Sequence, residues 1–188
     1  MNENIRENNV CMHDIGEASE LVNRRIKNII TSLIGERPLG KVLDIGERNP
    51  LLETLEKHYS ISGDSTNIDL DIEELNGEYD TVFCFEVLEH LFNPLHLLLE
   101  IKKVLKQNGV LYLSTPKGKP HFLSWKHHFH EIYERDLLAL FRRAGLKVNK
   151  LSYHRIRPFG KVIGFRPLLR FFLERKTVVE LTKIDENQ

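Results

Sequence analysis

Apolar residues Leu21, Val22, Ile26, Ile29, Ile30, Leu33 and Ile34 recur at the spacing of one helix face, and Gly35 supplies a C-terminal stop. The period then changes. Lys41 to Ile45 is a short apolar run ending on Gly46 and reads as a strand. Asn49-Pro50 reads as an N-cap followed by proline in the first helical turn, opening a helix through Leu51, Leu52 and Leu55 to about Tyr59. Residues 60–63 read as a short strand, and residues 64–78 are polar and acidic without a regular period. Tyr79 to Phe85 (YDTVFCF) is a second buried strand. Asn93-Pro94 repeats the cap-and-proline signature and predicts a helix carrying Leu95, Leu98, Ile101, Val104 and Leu105, stopped by Asn108-Gly109. A strand over Val110 to Ser114 ends before Pro116. After a loop at 117–131 rich in lysine, histidine and aromatic residues, Glu134 to Ala144 forms a helix with Leu137, Leu138 and Phe141 on one face. Lys147–Tyr153 and Thr177–Ile184 are β-like. Between them lies an apolar, basic stretch, 158–176, which Pro167 divides into two short helices.

Strands that alternate with helices predict a single α/β domain over residues 1–188, with a mainly parallel sheet. Residues 1–37 form an N-terminal helical extension, and 158–176 an insert between the last two strands. Adjacent parallel strands need a crossover of about a dozen residues. Too few separate Asp64 from Asp69 to supply one, so the sheet is expected to be reduced in that region. Ligands in such sheets bind beyond the carboxyl ends of the strands.

Composition narrows the function classes. Lys+Arg and Asp+Glu are equal at 27 each, which gives no global attraction to nucleic acid, and none is expected as a partner. No apolar run approaches the roughly 18 residues of a membrane span. Met1 to Cys11 lacks the apolar core of a secretory signal, so a cytoplasmic setting is expected, with Cys11 and Cys84 as free thiols of no catalytic role. Segment 158–176 is too short and too charged to cross a bilayer. It reads as a helical cap on the sheet, with peripheral membrane contact as the other option. Oligomeric state is not readable.

Three strand ends carry candidate chemistry. The first delivers Asp44 and Gly46, a carboxylate beside a residue that lets a ligand approach the backbone. The second is Asp64, at the offset where an acid binds ribose hydroxyls in dinucleotide folds. The third is an ordered block: EVLEH at 86–90, NP at 93–94, EIKKVLKQNG at 100–109 and STP at 114–116.

That block resembles the small class I S-adenosylmethionine-dependent methyltransferases of the type 11 and type 23 families. The resemblance continues through His128-Phe129-His130-Glu131 and the helix end Arg143-Ala144-Gly145-Leu146, and covers about residues 41–153. It implies a Rossmann-like three-layer αβα sandwich, mainly parallel with an antiparallel last strand. It also implies S-adenosylmethionine as methyl donor, S-adenosylhomocysteine as product, and a small-molecule or carbohydrate-type acceptor. By the same resemblance Asp44 and Gly46 lie by the methionine part, Asp64 takes the ribose hydroxyls, and an acid among Asp69 and Asp71 sits near the adenine. Backbone groups of Cys84, Phe85 and Glu86 line the cofactor, and His90 faces the pocket mouth. If a base is used, His90 or His130 serves.

The chain departs from the family in its first loop. The D-x-G-x-G-x-G pattern is here Asp44-Ile45-Gly46-Glu47-Arg48-Asn49-Pro50, without the second and third glycines. This leaves open a second reading, a binding or accessory protein that keeps the fold without turnover. His121, His127, His128 and His130 have no cysteine nearby and match no structural zinc spacing, so they are read as loop or pocket-lining histidines and no metal is expected. Phe122, Trp125 and Phe129 interleave with Lys117, Lys119 and Lys126, read as a lid over the acceptor rather than a base-stacking surface. The absence of G-x-G-x-x-G argues against a dehydrogenase, and that of G-x-S-x-G against a serine hydrolase.

Overall fold

A computed structural model describes residues 20–120, 128–155 and 173–184, with side chains from residue 27 onward. Its elements are helix α1 (Glu20–Ile34), strand β1 (Val42–Asp44), helix α2 (Pro50–Tyr59), strand β2 (Gly63–Ser65) and strand β3 (Tyr79–Phe85). A single 3-10 turn follows at Leu88–His90. Then come helix α3 (Pro94–Val104), strand β4 (Leu105–Pro116), helix α4 (Glu134–Arg143), strand β5 (Leu146–His154) and strand β6 (Lys176–Lys183).

Among the described residues the strands form one sheet in the order β2-β1-β3-β4-β6-β5. β2, β1, β3 and β4 run parallel, and β6 is antiparallel to both β4 and β5. The three-residue β2 is the outer edge, and residues 66–78 contribute no strand beyond it. The shortage of residues between Asp64 and Asp69 has this consequence: the crossover a further parallel strand needs is absent.

Strand alternation sorts the core onto two faces. Val82 and Cys84 of β3 face α3 and α4, where Leu97, Leu98, Ile101, Leu137 and Phe141 are buried. Phe83 and Phe85 face the other way and pack with Tyr112 against Ile30, Ile34, Leu52 and Leu55 of α1 and α2. Each such side chain contributes about 1.5–3 kcal/mol by leaving water. On the second face the buried Glu180 carboxylate binds Arg37 (3.5 Å) and Lys150 (3.2 Å), tying the end of α1 to the antiparallel strands.

Two boundaries differ from the sequence expectation. The short strand lies at Gly63–Ser65, not 60–63, because Ser60 caps α2 in the left-handed conformation (φ 52°) and the chain needs Ile61 and Ser62 to turn back. α3 ends at Val104, and β4 begins at Leu105 rather than Val110. Leu105 is apolar at helical spacing, but it is extended and pairs with Tyr79, while Lys106 Nζ binds the Asp80 carboxylate at 2.8 and 2.9 Å. Asn108-Gly109 therefore falls where the ladder shifts register between Tyr79 and Thr81, inside the strand rather than at a helix stop. Most of segment 158–176 lies outside the described residues. No described helix is long and apolar enough to cross a membrane.

Candidate active site

The carboxyl ends of β1, β3 and β4 lie side by side in the parallel part of the sheet. Asp44 ends β1 and is 3% exposed. Asn49 Nδ2 donates to its Oδ2 at 2.7 Å and to the Glu47 carbonyl at 3.2 Å. The Asn49 Oδ1 meanwhile accepts the backbone N–H groups of Leu51 and Leu52, both at 3.0 Å. One side chain thus caps α2 and partners the acid. Burial pushes the Asp44 carboxyl up to about 7, against the opposing effect of Asn49. Gly46 has φ +114°. A Cβ there would meet nothing, so the glycine serves conformation rather than space. Thr66 fastens the loop after β2 to it: Gly46 N–H donates to Thr66 Oγ1 (2.7 Å) and Thr66 N–H to the Gly46 carbonyl (2.9 Å). The Arg48 guanidinium turns back onto Glu56 of α2, and Glu56 also accepts the Gly63 N–H at 2.9 Å. The Gly63 hydrogen bond and Arg48 hold the Glu56 carboxyl below its usual range.

The other predicted cofactor acids are placed differently. Asp64 is exposed on the sheet edge, 3.9 Å from Lys41 Nζ, and, behind the larger effect of burial, it raises the Tyr79 hydroxyl above its usual range. Ser65, not Asp64, is in register with Asp44. Asp69 accepts the Asp71 N–H at 3.0 Å. Asp71 accepts the N–H groups of Asn93 (2.7 Å) and Phe92 (3.2 Å), bracing the turn that starts α3. The fold therefore gathers Asp44, Gly46, Phe85 and Glu86 at adjoining strand ends and leaves Asp64, Asp69 and Asp71 on the flanking loop and edge.

Glu86 follows β3 with φ 59°, a left-handed conformation that is uncommon for a residue with a side chain and concentrates at functional sites. Its carboxylate accepts the Ser114 hydroxyl at 2.7 Å and pairs with Lys176. Next to it is a group the sequence reading passed over. Glu89 is 1% exposed, and its Oε2 accepts the Thr115 hydroxyl at 3.0 Å. Burial pushes this carboxyl up to about 8. Its backbone carbonyl accepts Phe129 N–H (2.8 Å) and His130 N–H (3.2 Å), docking the loop before α4 onto the 3-10 turn. On that loop Glu131 Oε1 binds Lys119 Nζ at 2.9 Å, both side chains buried, and His128 Nδ1 at 3.0 Å. The His90 and His128 rings meet edge to face at 5.0 Å, and the exposed rings of Phe92 and Phe129 stack at 4.1 Å. Of the two predicted bases, His90 is thus in this cluster by its ring and His130 by its backbone. Sequence reasoning assigned Glu89, Thr115 and Glu131 no individual role, and Lys119, expected in a lid, is instead buried against Glu131. The available signal was the second acid of EVLEH, followed downstream by the Thr of STP and the acid of HFHE.

Lys117 stands 4.1 Å over the Tyr153 ring. Cys84 is buried in the core, and burial raises its thiol well above the ordinary range. His121, Phe122, Trp125, Lys126 and His127 lie outside the described residues, as do Cys11 and Pro167.

Comparison with known proteins agrees with this fold. Residues 17–151 match the family model described as a methyltransferase domain. The ubiquinone biosynthesis O-methyltransferase of Dechloromonas aromatica is 30% identical over 105 residues, a stretch covering 56% of this chain and 42% of that protein. The chain thus spans about two fifths of the length of the curated relatives it matches. Among solved structures, the Burkholderia thailandensis 1,6-didemethyltoxoflavin-N1-methyltransferase, with bound 1,6-didemethyltoxoflavin and S-adenosylhomocysteine, superposes with a TM-score of 0.59 at 16% identity, over 94% of this chain and 85% of that one. The [4+2]-cyclase SpnF superposes with a TM-score of 0.58 at 13% identity, over 85% and 81%. Both are likenesses of fold.

Proposed function

This chain belongs to the methyltransferase domain family, and from that premise we propose that it transfers the methyl group of S-adenosylmethionine to a hydroxyl oxygen of a small molecule. The observation that carries the reading is Asp44, a buried carboxyl at the carboxyl end of β1 that ionises near neutral pH. An ammonium brought against it replaces the lost hydration and favours its charged form. The methionine part of the cofactor presents such a group. Gly46, Phe85 and Glu86 complete that end of the site. We assign the nucleoside part to the loop beyond β2, with Asp64 for the ribose hydroxyls and Asp69 or Asp71 beside the adenine. Asp64 reaches that position by exchanging Lys41 for the ribose. Relatives named as O-methyltransferases favour oxygen as the acceptor atom.

In the reaction the acceptor oxygen attacks the methyl carbon in line with the departing sulfur. The carbon–oxygen bond forms as the carbon–sulfur bond breaks, and the electron pair stays on sulfur to give S-adenosylhomocysteine. The hydroxyl proton passes to a base, His90 or His130, and then to water. Because the sulfonium is already a good leaving group, most of the acceleration comes from holding donor and acceptor in line. The test is radiolabelled methyl transfer from S-adenosylmethionine to a panel of phenolic and sugar hydroxyl compounds. Incorporation into a phenol supports an aromatic acceptor and incorporation into a sugar the carbohydrate-type one. Binding of S-adenosylhomocysteine without any transfer supports the accessory reading.

A further inference from the structure

We propose that Glu89, His90 and His128 form a binding site for a divalent first-row transition ion. Their donor atoms lie within 4.8 Å of one another, although the residues come from two separate segments. Both segments are fixed. Glu89 and His90 belong to the 3-10 turn, and the loop carrying His128 is fastened to that turn by the Phe129 and His130 N–H groups on the Glu89 carbonyl.

The outer partners fit ligation. Glu89 Oε2 is held by Thr115, while Oε1 is buried with no hydrogen-bond partner among the described residues. A buried carboxylate oxygen without a donor is costly to keep, and a cation is one of the few groups that satisfies it. His128 Nδ1 faces Glu131 Oε1 at 3.0 Å, and Lys119 neutralises that carboxylate. A carboxylate only accepts, so Nδ1 carries the hydrogen and Nε2 keeps the lone pair, the arrangement that orients ligating histidines.

The donor set also limits which ion is taken. One carboxylate and two imidazoles match Zn²⁺, Mn²⁺, Fe²⁺ or Co²⁺, whereas Mg²⁺ and Ca²⁺ prefer oxygen throughout. Three protein ligands leave a position open. Glu89 is buried while His90 and His128 are half-buried, so the open side faces outward beside the Phe92–Phe129 stack. On the methyl-transfer reading, that position binds the acceptor hydroxyl, and with His90 held as a ligand the proton passes to His130 and then to water as the oxygen attacks the methyl carbon.

The test uses the full chain, treated with chelator and dialysed, then titrated by calorimetry with Zn²⁺ and Mn²⁺ alone, without cofactor. Co²⁺ is added in parallel and followed by its visible absorption. The expected result is one ion per chain. His90→Ala and His128→Ala should each abolish saturable binding, and Glu131→Gln should weaken it by roughly 10–100-fold. Circular dichroism confirms that each variant is folded. If Glu89→Gln does not fold, the two histidine variants carry the test. Absence of saturable binding, binding unchanged in both histidine variants, or a preference for Mg²⁺ or Ca²⁺ would overturn the proposal. S-adenosylhomocysteine binding is measured separately, so loss of the ion site with cofactor binding intact refutes this inference alone. Ion binding without cofactor binding refutes the methyl-transfer reading instead.

Discussion

Replacing Asp44 by asparagine should remove a slope in the pH dependence of stability. In the folded chain burial raises the carboxyl from 3.8 to about 7. Between those values the folded state keeps a proton that the unfolded state has released, so rising pH favours unfolding. The contribution is fully present below the unfolded value, declines as pH rises and is gone above the folded one. A displacement of about three pH units corresponds to about 4 kcal/mol at roughly 1.4 kcal/mol per unit. Against a total stability of about 5–15 kcal/mol this is large. An asparagine side chain at this position carries no charge at any pH, and its amide oxygen can still accept from Asn49 Nδ2. Relative to the parent, the Asp44→Asn variant should therefore gain about 4 kcal/mol between about pH 4 and pH 8. Urea unfolding of both proteins across that window measures the difference. The raised carboxyl of Glu89 adds a slope of the same sign, but it is common to both proteins and cancels. Parallel curves would show that Asp44 ionises normally and would remove the basis for its role at the cofactor ammonium.

Three further outcomes follow from individual contacts. Asn49→Ala removes the cap of α2 together with the hydrogen bond to Asp44; it should cost about 1–2 kcal/mol in chemical denaturation and weaken cofactor binding in calorimetry. Phe141→Ala, at a side chain that α4 buries fully in the core, should cost about 3–5 kcal/mol by the same method, with cofactor affinity unchanged because no strand end moves. At Gly118 a Cβ would lie 2.8 Å from the Tyr133 nitrogen and 2.9 Å from the Glu131 carbonyl oxygen. Gly118→Ala should therefore push the Lys119 and Glu131 segments apart, costing about 1–3 kcal/mol and weakening the ion site seen by Co²⁺ absorption.

The elements that the sequence displays most clearly are those written in local chemistry. Asn49-Pro50 and Asn93-Pro94 cap α2 and α3 as their side chains dictate, and the Asn oxygens accept the expected N–H groups. The shortage of residues between Asp64 and Asp69 was enough to remove the outer strand. What was not legible depends on distant partners. Leu105 continues the helical spacing of α3, yet its pairing with Tyr79, 26 residues earlier, draws it into β4. Asp71 looks like a free loop acid, but its two oxygens are taken by N–H groups 21 and 22 residues downstream. Glu86 and Glu89 are the same residue type in one motif. Only the arrival of Ser114 and Lys176 at one, and of Thr115 and the 128–131 loop at the other, separates their environments. Asn49 shows a related limit. Its capping role is local, whereas its hydrogen bond to Asp44 appears only once β1 and α2 are packed together.

The most direct test of the account is a calorimetric titration of the full chain with S-adenosylhomocysteine near pH 8, where Asp44 is ionised, repeated with Asp44→Asn. The account predicts saturable binding of one ligand per chain to the parent and none to the variant. No heat with the parent at large ligand excess, or equal affinity in both proteins, would contradict it.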